Sequence, residues 1–226
     1  MCIRDRVGAA RVFKILDSDE SLPNKGTIQL DHIDGKIEFR NVKFSYVPNN
    51  PVIKGISFTT QPGETIAIVG STGAGKSTII NLLSRFYDID SGEIFIDNHN
   101  IYDLDIHNLR QHVAVVLQDV FLFNSTIYDN IVLGNKEITL EEVEQAAKII
   151  GIHQFITKLP KGYFTEVSER GSTLSVGQRQ LISFLRAYIY NPEVLVLDEA
   201  TSSIDTASEK MIQKATEKLT ENRTSI

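Results

Sequence analysis

The chain has 226 residues, of which 42% are hydrophobic and 23% charged, and its formal net charge is −6 at pH 7. This length suits one large domain, or a core with one inserted subdomain. No stretch of the sequence is apolar and long enough to cross a bilayer. The acidic balance argues against a general nucleic-acid binder, which would normally show a basic face. The single cysteine, Cys2, excludes an internal disulfide framework and suits a reducing compartment.

The first 33 residues are predicted to be an N-terminal scar followed by a linker. The opening MCIRDR has neither the apolar centre nor the cleavage site of a signal peptide, and we interpret it as a scar or a misread gene start. Residues 11–16 have a short amphipathic helical pattern, and residues 17–25 are polar. The folded domain is therefore expected to occupy residues 34–226.

Two strands are predicted next, with an aromatic residue between them. Residues 36–44, KIEFRNVKF, alternate apolar and polar side chains, as a half-buried antiparallel strand does. Tyr46 follows, then a turn rich in proline and asparagine, and a second strand near residues 55–60. An exposed aromatic ring at a strand end can stack on a flat base. Tyr46 can equally be a turn residue that packs on its own hairpin.

Residues 64–78, ETIAIVGSTGAGKST, combine an apolar run, a glycine-rich loop and a helix start. Residues 65–69 have no polar face, which predicts a strand buried on both sides of a parallel sheet. The glycines fit the pattern G-x-x-x-x-G-K-[ST], in which backbone N–H groups curl around phosphate oxygens. A glycine-rich turn without a ligand is the alternative, but strand, loop and helix all fall in the expected places.

The two residues that follow the last glycine of this loop carry the expected phosphate chemistry. Lys76 would place a positive charge on the β- and γ-phosphates, and Ser77 would offer a hydroxyl group to Mg²⁺. A helix predicted from Ser77 to about Phe86 would direct the positive end of its dipole at the same anion.

Another sheet strand is predicted beyond this helix. A turn marked by Gly92 precedes a strand at residues 93–97, and a short polar helix at residues 106–111 leads into VAVVLQD, residues 113–119. Gln118 falls at the carboxyl end of that buried strand, where polar residues of parallel sheets project into the ligand crevice. Taken alone, Gln118 could equally be a surface residue that ends the strand.

Residues 125–190 are predicted to be helical with little strand signal. A helix-rich segment between strands of a parallel sheet indicates a separate helical subdomain, at about residues 119–190. Within it, Thr139 and Glu142 form a capping box ahead of an apolar periodic run.

The stretch LSVGQRQL, residues 174–181, is predicted to start a long helix that runs to Tyr190. Ser175 and Gly177 make this a second place where a helix start, a hydroxyl group and a glycine could meet an anion. Simple N-capping by Ser175 explains the same residues.

Residues 194–197 form an apolar strand that ends in Asp198 and Glu199. Two carboxylates at a buried strand tip are costly unless a cation or a reacting water balances them. Asp198 fits a ligand of Mg²⁺ or of its water, and Glu199 fits a base that polarises an attacking water. Solvated acids at a helix start are the alternative. A turn ending at Asp205 and a final helix to about residue 219 follow.

These motifs together resemble the nucleotide-binding domain of ATP-binding-cassette (ABC) transporters, of the exporter kind with fused transmembrane segments. The resemblance runs from about residue 34 to the last residue. GSTGAGKST is similar to the Walker A motif, LSVGQ to the family signature, VLVLDEA to Walker B with its catalytic glutamate, and SSID to the D-loop. Tyr46 looks like the adenine-stacking aromatic, Gln118 like the Q-loop glutamine, and TEVSERG, residues 165–171, like the loop that touches the membrane domains.

The resemblance implies an α/β fold of the P-loop NTPase class: a RecA-like, mostly parallel sheet core, an antiparallel β subdomain and an inserted helical subdomain. It also implies a head-to-tail dimer with ATP and Mg²⁺ sandwiched between Walker A of one subunit and the signature of the other. It assigns catalysis to Glu199 and Gln118, metal binding to Ser77, Gln118 and Asp198, and nucleotide contacts to Tyr46, Gly70, Ser71, Thr72, Gly73, Ala74, Gly75, Lys76, Ser77, Thr78, Ser175, Gly177, Gln178 and Asp205.

The implied partners are a second ABC ATPase domain, identical or different, and a transmembrane domain of the same polypeptide, which would hold the ATPase domain at the cytoplasmic face of a membrane. No nucleic acid is expected. Three departures from the family pattern matter. Val176 stands where the signature usually has glycine, the switch histidine would follow Ile226 by a few residues, and a membrane domain would precede Val7. We therefore expect a piece of a longer transporter that hydrolyses ATP weakly or not at all by itself.

Two other functions fit the same motifs less well. A soluble, non-transport ATPase of the same superfamily that acts on nucleic acid or ribosomes is disfavoured by the acidic balance, by TEVSERG and by the linker-like N-terminus. A non-hydrolysing regulatory half of a heterodimer is disfavoured by Glu199. The upstream gene sequence would distinguish an exporter from a soluble ATPase, because a transporter requires about six hydrophobic helices of roughly twenty residues there.

In the full-length protein, Glu199→Gln is expected to leave ATP binding intact and to trap the dimer, because the base that polarises the water is lost. ATP affinity and steady-state turnover measured on the same preparation check this. Unchanged turnover would remove Glu199 from the role of base.

Overall fold

The computed structural model describes residues 24–168, 171–198 and 206–226, together with residues 9, 10, 12–14, 16 and 17. Helical backbone occurs at 12–14 and 16, within the stretch predicted to be a short helix. The predictions for Cys2, Glu199 and Asp205 lie outside the described residues.

The N-terminal half is built on a four-stranded antiparallel sheet with the strand order β2-β1-β3-β4. The strands are β1 Ile37–Phe44, β2 Ile53–Thr60, β3 Ser91–Ile96 and β4 His99–Asn100. The alternation in β1 buries Ile37 and Phe39 and then Val42 and Phe44, so the buried side shifts by one residue in mid-strand. The two strands predicted around Tyr46 are confirmed.

A β-bulge in β1 causes this shift. The register of β1 with β3 slips between Arg40 and Lys43, and Asn41 adopts a positive φ of 46°. Gly92 lies opposite the bulge in β3 with φ 94°, and a Cβ at Gly92 would come within 2.5 Å of the Asn41 carbonyl oxygen. The predicted turn at Gly92 is therefore wrong. The glycine is a strand residue, and it is required by close backbone approach at a bulge.

Gly92→Ala is expected to lower the free energy of unfolding by clearly more than Gly134→Ala, measured by urea denaturation. Gly134 has a similar φ of 81° but open space around its Cβ position, so its substitution reports the left-handed backbone alone, about 1–2 kcal/mol. Equal losses for the two variants would contradict the close approach at the bulge.

The centre of the domain is a three-stranded parallel sheet with the order β5-β8-β9. Its strands are β5 Val113–Val116, β8 Val194–Leu197 and β9 Thr224–Ser225. Successive residues of β8 point into two different hydrophobic cores: Val194 and Val196 into one and Leu195 into the other. The buried strand predicted within residues 113–119 and the apolar strand predicted at residues 194–197 are thus confirmed as β5 and β8.

The strand predicted at residues 65–69 is wrong for most of its length. Only Thr65 forms a bridge, a parallel one with Ser225, and the Ile66 N–H donates to the Ser225 carbonyl at 2.9 Å. Val69 is 88% exposed. After Ile66, the described residues provide no ladder partner for this segment.

Helices cover the parallel sheet, and two hydrophobic cores result. One core lies between the antiparallel sheet and the first two helices, and the other lies within the predicted helical subdomain and extends to the last helix. The helices are α1 Lys76–Leu83, α2 Ile106–His112, α3 Ile127–Val132, α4 Leu140–Ile149, α5 His153–Thr157, α6 Val176–Tyr190 and α7 Thr206–Thr220, with a 3₁₀ turn at Gly162–Phe164 and the short strands β6 Ser125–Thr126 and β7 Glu166–Val167.

Three of the described helices of this subdomain, α3, α4 and α6, begin with capping boxes. The box of Thr139 and Glu142 at α4 is confirmed, and α3 has a second one between Thr126 and Asp129. Hydrogen bonds from Ser125 and Thr126 hold the pKa of the Asp129 carboxyl group below its usual value, because they stabilise the carboxylate. None of the helices in the described ranges has the length and apolar composition needed to cross a bilayer.

Residues 24–33 lie against the domain, although they precede the predicted boundary at residue 34. The Thr27 and Ile28 N–H groups both donate to the Asp103 carbonyl at 3.0 Å. The backbone of Leu30 exchanges two hydrogen bonds with the Asn108 side chain, at 2.8 and 3.0 Å. The boundary itself stays a prediction, and these contacts fix the path of the chain into β1.

Candidate phosphate-binding site

The glycine-rich loop ends at Gly75, which is the N-cap of α1. Gly75 has the left-handed angles φ 93° and ψ 14°. A Cβ at this position would lie only 2.7 Å from Ile53 Cδ1, so the site favours glycine. No side chain caps this helix. Since the first N–H groups of a helix have no intrahelical acceptor, the N–H groups of Lys76, Ser77 and Thr78 remain available to an anion.

Lys76 folds its ammonium group back over the loop. Its Nζ donates to the carbonyl oxygens of Gly70 at 2.9 Å and Ser71 at 3.3 Å. An ammonium group has three N–H donors, so these two contacts leave one for a ligand. The positive charge therefore lies at the mouth of the loop, next to the uncapped helix start.

The start of α1 and the end of β8 meet through two oxygen-bearing side chains. Ser77 Oγ donates to Asp198 Oδ2 at 3.0 Å, and the Asp198 N–H donates to the Val116 carbonyl at 2.9 Å. The second bond ties the carboxylate to the end of β5. A hydroxyl and a carboxylate suit a hard cation, and Mg²⁺ commonly takes only one or two protein ligands with phosphate and water completing its shell. The two side chains therefore fit a Mg²⁺ site.

Tyr46 stands beside the helix start. Its hydroxyl group donates to Thr78 Oγ1 at 3.2 Å, and its ring contacts Phe44 and Tyr87 edge to face with centroid distances of 4.8 and 5.0 Å. The side chain remains 46% exposed. These contacts reach α1 as well as its own hairpin, so the ring borders the loop; its stacking role stays a prediction.

One cleft of about 430 Å³ brings most of the predicted residues together. It is lined by Tyr46, Val52, Thr72, Gly73, Gly75, Lys76, Ser77, Thr78, Gln118 and Asp198. Gln118 also lines a second cleft of about 400 Å³, which Val176 and Arg179 at the start of α6 line as well. Gln118 thus lies where the two clefts meet. Sequence reasoning missed Val52, whose single apolar side chain carries no motif signal.

The start of α6 is capped, unlike that of α1. Ser175 Oγ accepts from the Gln178 N–H at 3.2 Å, and Gln178 Oε1 accepts from the Ser175 N–H at 3.0 Å. N-capping by Ser175 is therefore what the structure contains. The N–H groups of Val176 and Gly177 still lack intrahelical acceptors, because they belong to the first turn. This second helix start lines the other cleft and not the first, so the structure does not bring Ser175, Gly177 and Gln178 to the loop of the same chain.

Arg179 holds the loop before α6 in place. Its Nη1 donates to the carbonyls of Leu174 at 2.7 Å and Gly171 at 3.3 Å. The stretch TEVSERG, in which Gly171 is last, is anchored at its other end by the pairing of β7 with β6. Sequence reasoning missed Arg179, although its position directly after LSVGQ was a signal.

A glycine loop between a parallel sheet and an uncapped helix start, with a lysine and an opposed strand-end aspartate, defines a P-loop NTPase. The comparisons with known proteins agree. The family described as ABC transporter matches residues 53–202. The chain belongs to the ABC transporter family and has the fold of its ATPase domain, as the sequence predicted.

Several relatives are named as fused ATP-binding and permease proteins. The chain is 46% identical over 217 residues to a fatty acid ABC transporter ATP-binding/permease protein of Mycobacterium bovis, covering 96% of this chain and 34% of that protein. It is 47% identical over 219 residues to a probable multidrug resistance ABC transporter ATP-binding/permease protein of Bacillus subtilis, covering 97% and 32%. The chain thus spans about a third of the length of these relatives.

A solved structure is similar throughout the chain. It is that of a bacterial Atm1-family ABC exporter with ATP bound, with a TM-score of 0.85 and 38% sequence identity, covering 99% of this chain and 40% of that one. The arrangement of the antiparallel sheet, the parallel sheet and the helical subdomain is therefore that of an ABC ATPase domain.

Lys76→Ala is expected to weaken the binding of both ATP and inorganic tripolyphosphate by about tenfold to a hundredfold, because a charge-assisted hydrogen bond is lost. Isothermal titration calorimetry measures both affinities. Lys148→Ala, which removes an exposed lysine from α4, is the matched control and should bind as the wild type does. Equal affinities for Lys76→Ala and the wild type would contradict the loop assignment.

Proposed function

We propose that the chain is the ATP-binding and hydrolysing part of an ABC exporter, and that it couples Mg-ATP binding, dimerisation and hydrolysis to export across a membrane. The observation that carries this proposal is the uncapped start of α1, with Lys76 on one side and the Ser77–Asp198 contact on the other. Such a start binds an anion, and the paired oxygens next to it suit the cation that accompanies a nucleoside triphosphate.

Different residues of the cleft contact the adenine base, the phosphates, the metal ion and the attacking water. Loop residues 70–78 bind the phosphates through backbone N–H groups, and Lys76 places its positive charge beside the β- and γ-phosphates, with one N–H left to donate to them. Tyr46 stacks on the adenine ring. Ser77 and Asp198, with Gln118, hold Mg²⁺, which neutralises charge on the phosphate oxygens when bound. Glu199, next to Asp198 in sequence, polarises the attacking water.

The second helix start supports a head-to-tail dimer. Ser175, Gly177 and Gln178 lie at the start of α6 and line no part of the loop cleft of their own chain. A neighbouring ATPase domain, identical or different, would present these residues and Asp205 to the γ-phosphate bound by Lys76. The free N–H groups of the first turn of α6 and the hydroxyl group of Ser175 provide the donors for that contact.

The position of Gln118 supports a route from hydrolysis to transport. Gln118 lines both the loop cleft and the cleft at α6, so a change at the nucleotide would reach the helical subdomain through it. From there the motion would pass to a transmembrane domain of the same polypeptide, with the ATPase domain at the cytoplasmic face of the membrane. The names of the relatives, ATP-binding/permease proteins, support this partner.

Complementary variants test the head-to-tail arrangement. Lys76→Ala removes the loop lysine, and Ser175→Asp places a negative charge at the contact with the partner's γ-phosphate while keeping a good N-cap residue. With ATP and Mg²⁺, each variant alone should stay monomeric in sedimentation velocity. An equimolar mixture should form dimers, because one of its two composite sites is intact.

Ser175→Asn is the matched control, since it is an equally good N-cap without the charge. It should dimerise more readily than Ser175→Asp. Dimerisation of Ser175→Asp alone at the wild-type level, or a mixture that behaves as its separate components do, would contradict the sandwiched arrangement.

A further inference from the structure

The hydroxyl group of Tyr46 is hydrogen-bonded to a residue of the phosphate loop. Tyr46 Oη donates to Thr78 Oγ1 at 3.2 Å, and the Asn81 amide nitrogen lies 3.5 Å from Tyr46 Oη. Thr78 is only 5% exposed, so its hydroxyl group is held in a fixed position within the first turn of α1. The exposed ring is therefore tied to the same helix turn whose N–H groups face the phosphates.

Two further aromatic rings restrict the same side chain. Phe44 and Tyr87 contact the Tyr46 ring at interplanar angles of 86° and 88°. These contacts hold the ring laterally, but a ring can still rotate or lean about its own axis. The hydrogen bond at its far end removes that freedom, because it fixes the position of Oη relative to α1.

We propose that Thr78 is a positioning residue for the base: its side-chain hydroxyl orients the Tyr46 ring, while its backbone belongs to the phosphate loop. One residue then sets the distance between the base platform and the phosphate cradle. This inference rests on the proposed ATP-binding function and adds to it. An aromatic platform that is fixed before the ligand arrives loses less entropy on binding than a mobile one.

Tyr46→Phe keeps the ring and removes only the hydroxyl group. It should weaken ATP binding by about twofold to tenfold, the range expected for one hydrogen bond, and leave tripolyphosphate binding unchanged. Tyr46→Ala, which removes the platform itself, should show a larger loss for ATP and again none for tripolyphosphate. Calorimetry on the 226-residue chain measures both ligands, and the ratio of the two affinities is the readout.

Thr78→Val tests the other end of the bond. Valine has nearly the same shape and keeps the backbone N–H, so the variant should lose the same factor for ATP as Tyr46→Phe. The double variant should lose no more than either single one, because both changes remove one interaction. Thr78→Ser keeps a hydroxyl group and should recover most of the ATP affinity that Thr78→Val loses, because the hydrogen bond to Tyr46 can form again. Thermal unfolding of each variant should give a midpoint close to that of the wild type, which shows that the loss of affinity does not come from a destabilised fold.

The outcomes separate this inference from the function on which it rests. If the wild-type chain binds neither ATP nor tripolyphosphate, the proposed function falls, and the inference with it. If the wild type binds both, and Tyr46→Phe leaves the ratio of their affinities unchanged, the positioning role alone is overturned. Additive losses in the double variant, or equal losses for the two ligands, overturn it as well.

Discussion

The unpaired backbone N–H groups at the start of α1 are the constraint around which this domain is arranged. A helix must leave its first N–H groups without intrahelical partners, and most helices supply a side-chain cap. Here the N-cap is Gly75, which has no side chain to offer and adopts a left-handed conformation. The surrounding groups, the ammonium of Lys76 and the carboxylate of Asp198, are placed so that an anion and its cation can take the place of a cap.

The starts of α1 and α6 differ in how their first N–H groups are satisfied. Both helices begin with glycine and hydroxyl residues, but α6 is closed by the reciprocal bonds of Ser175 and Gln178. The start of α6 is thus stable by itself and can still offer two N–H groups and a hydroxyl hydrogen. The two helix starts thus differ in kind, because the first turn of α1 lacks a side-chain cap and that of α6 has one.

The parallel sheet lies between the two halves of the domain that contain these helix starts. Its central strand β8 sends alternate side chains into two different cores, one under the antiparallel sheet and α1 and one in the helical subdomain. Asp198 follows this strand directly, and Gln118 follows β5, its neighbour. Both residues thus lie at the carboxyl ends of neighbouring parallel strands, where polar side chains face a ligand crevice. This position explains why Gln118 lines the loop cleft as well as the cleft at α6.

The sequence by itself determined what depends on neighbouring residues. The alternation that builds β1, the capping box at α4 and the glycine-lysine loop were all predicted, because each is specified within a few positions of the chain. Gly92 was misassigned, since the bulge that requires it lies on another strand. Residues 65–69 were also misassigned, because an apolar run becomes a strand only where a partner strand is present.

Only the tertiary structure decided how these local pieces meet. The contact of Ser77 with Asp198 joins residues 121 positions apart, and that of Tyr46 with Thr78 joins residues 32 positions apart. Neither pairing follows from the residues near either partner. Hydrogen bonds between distant side chains are set by how the sheets and helices pack, and packing is a property of the whole chain.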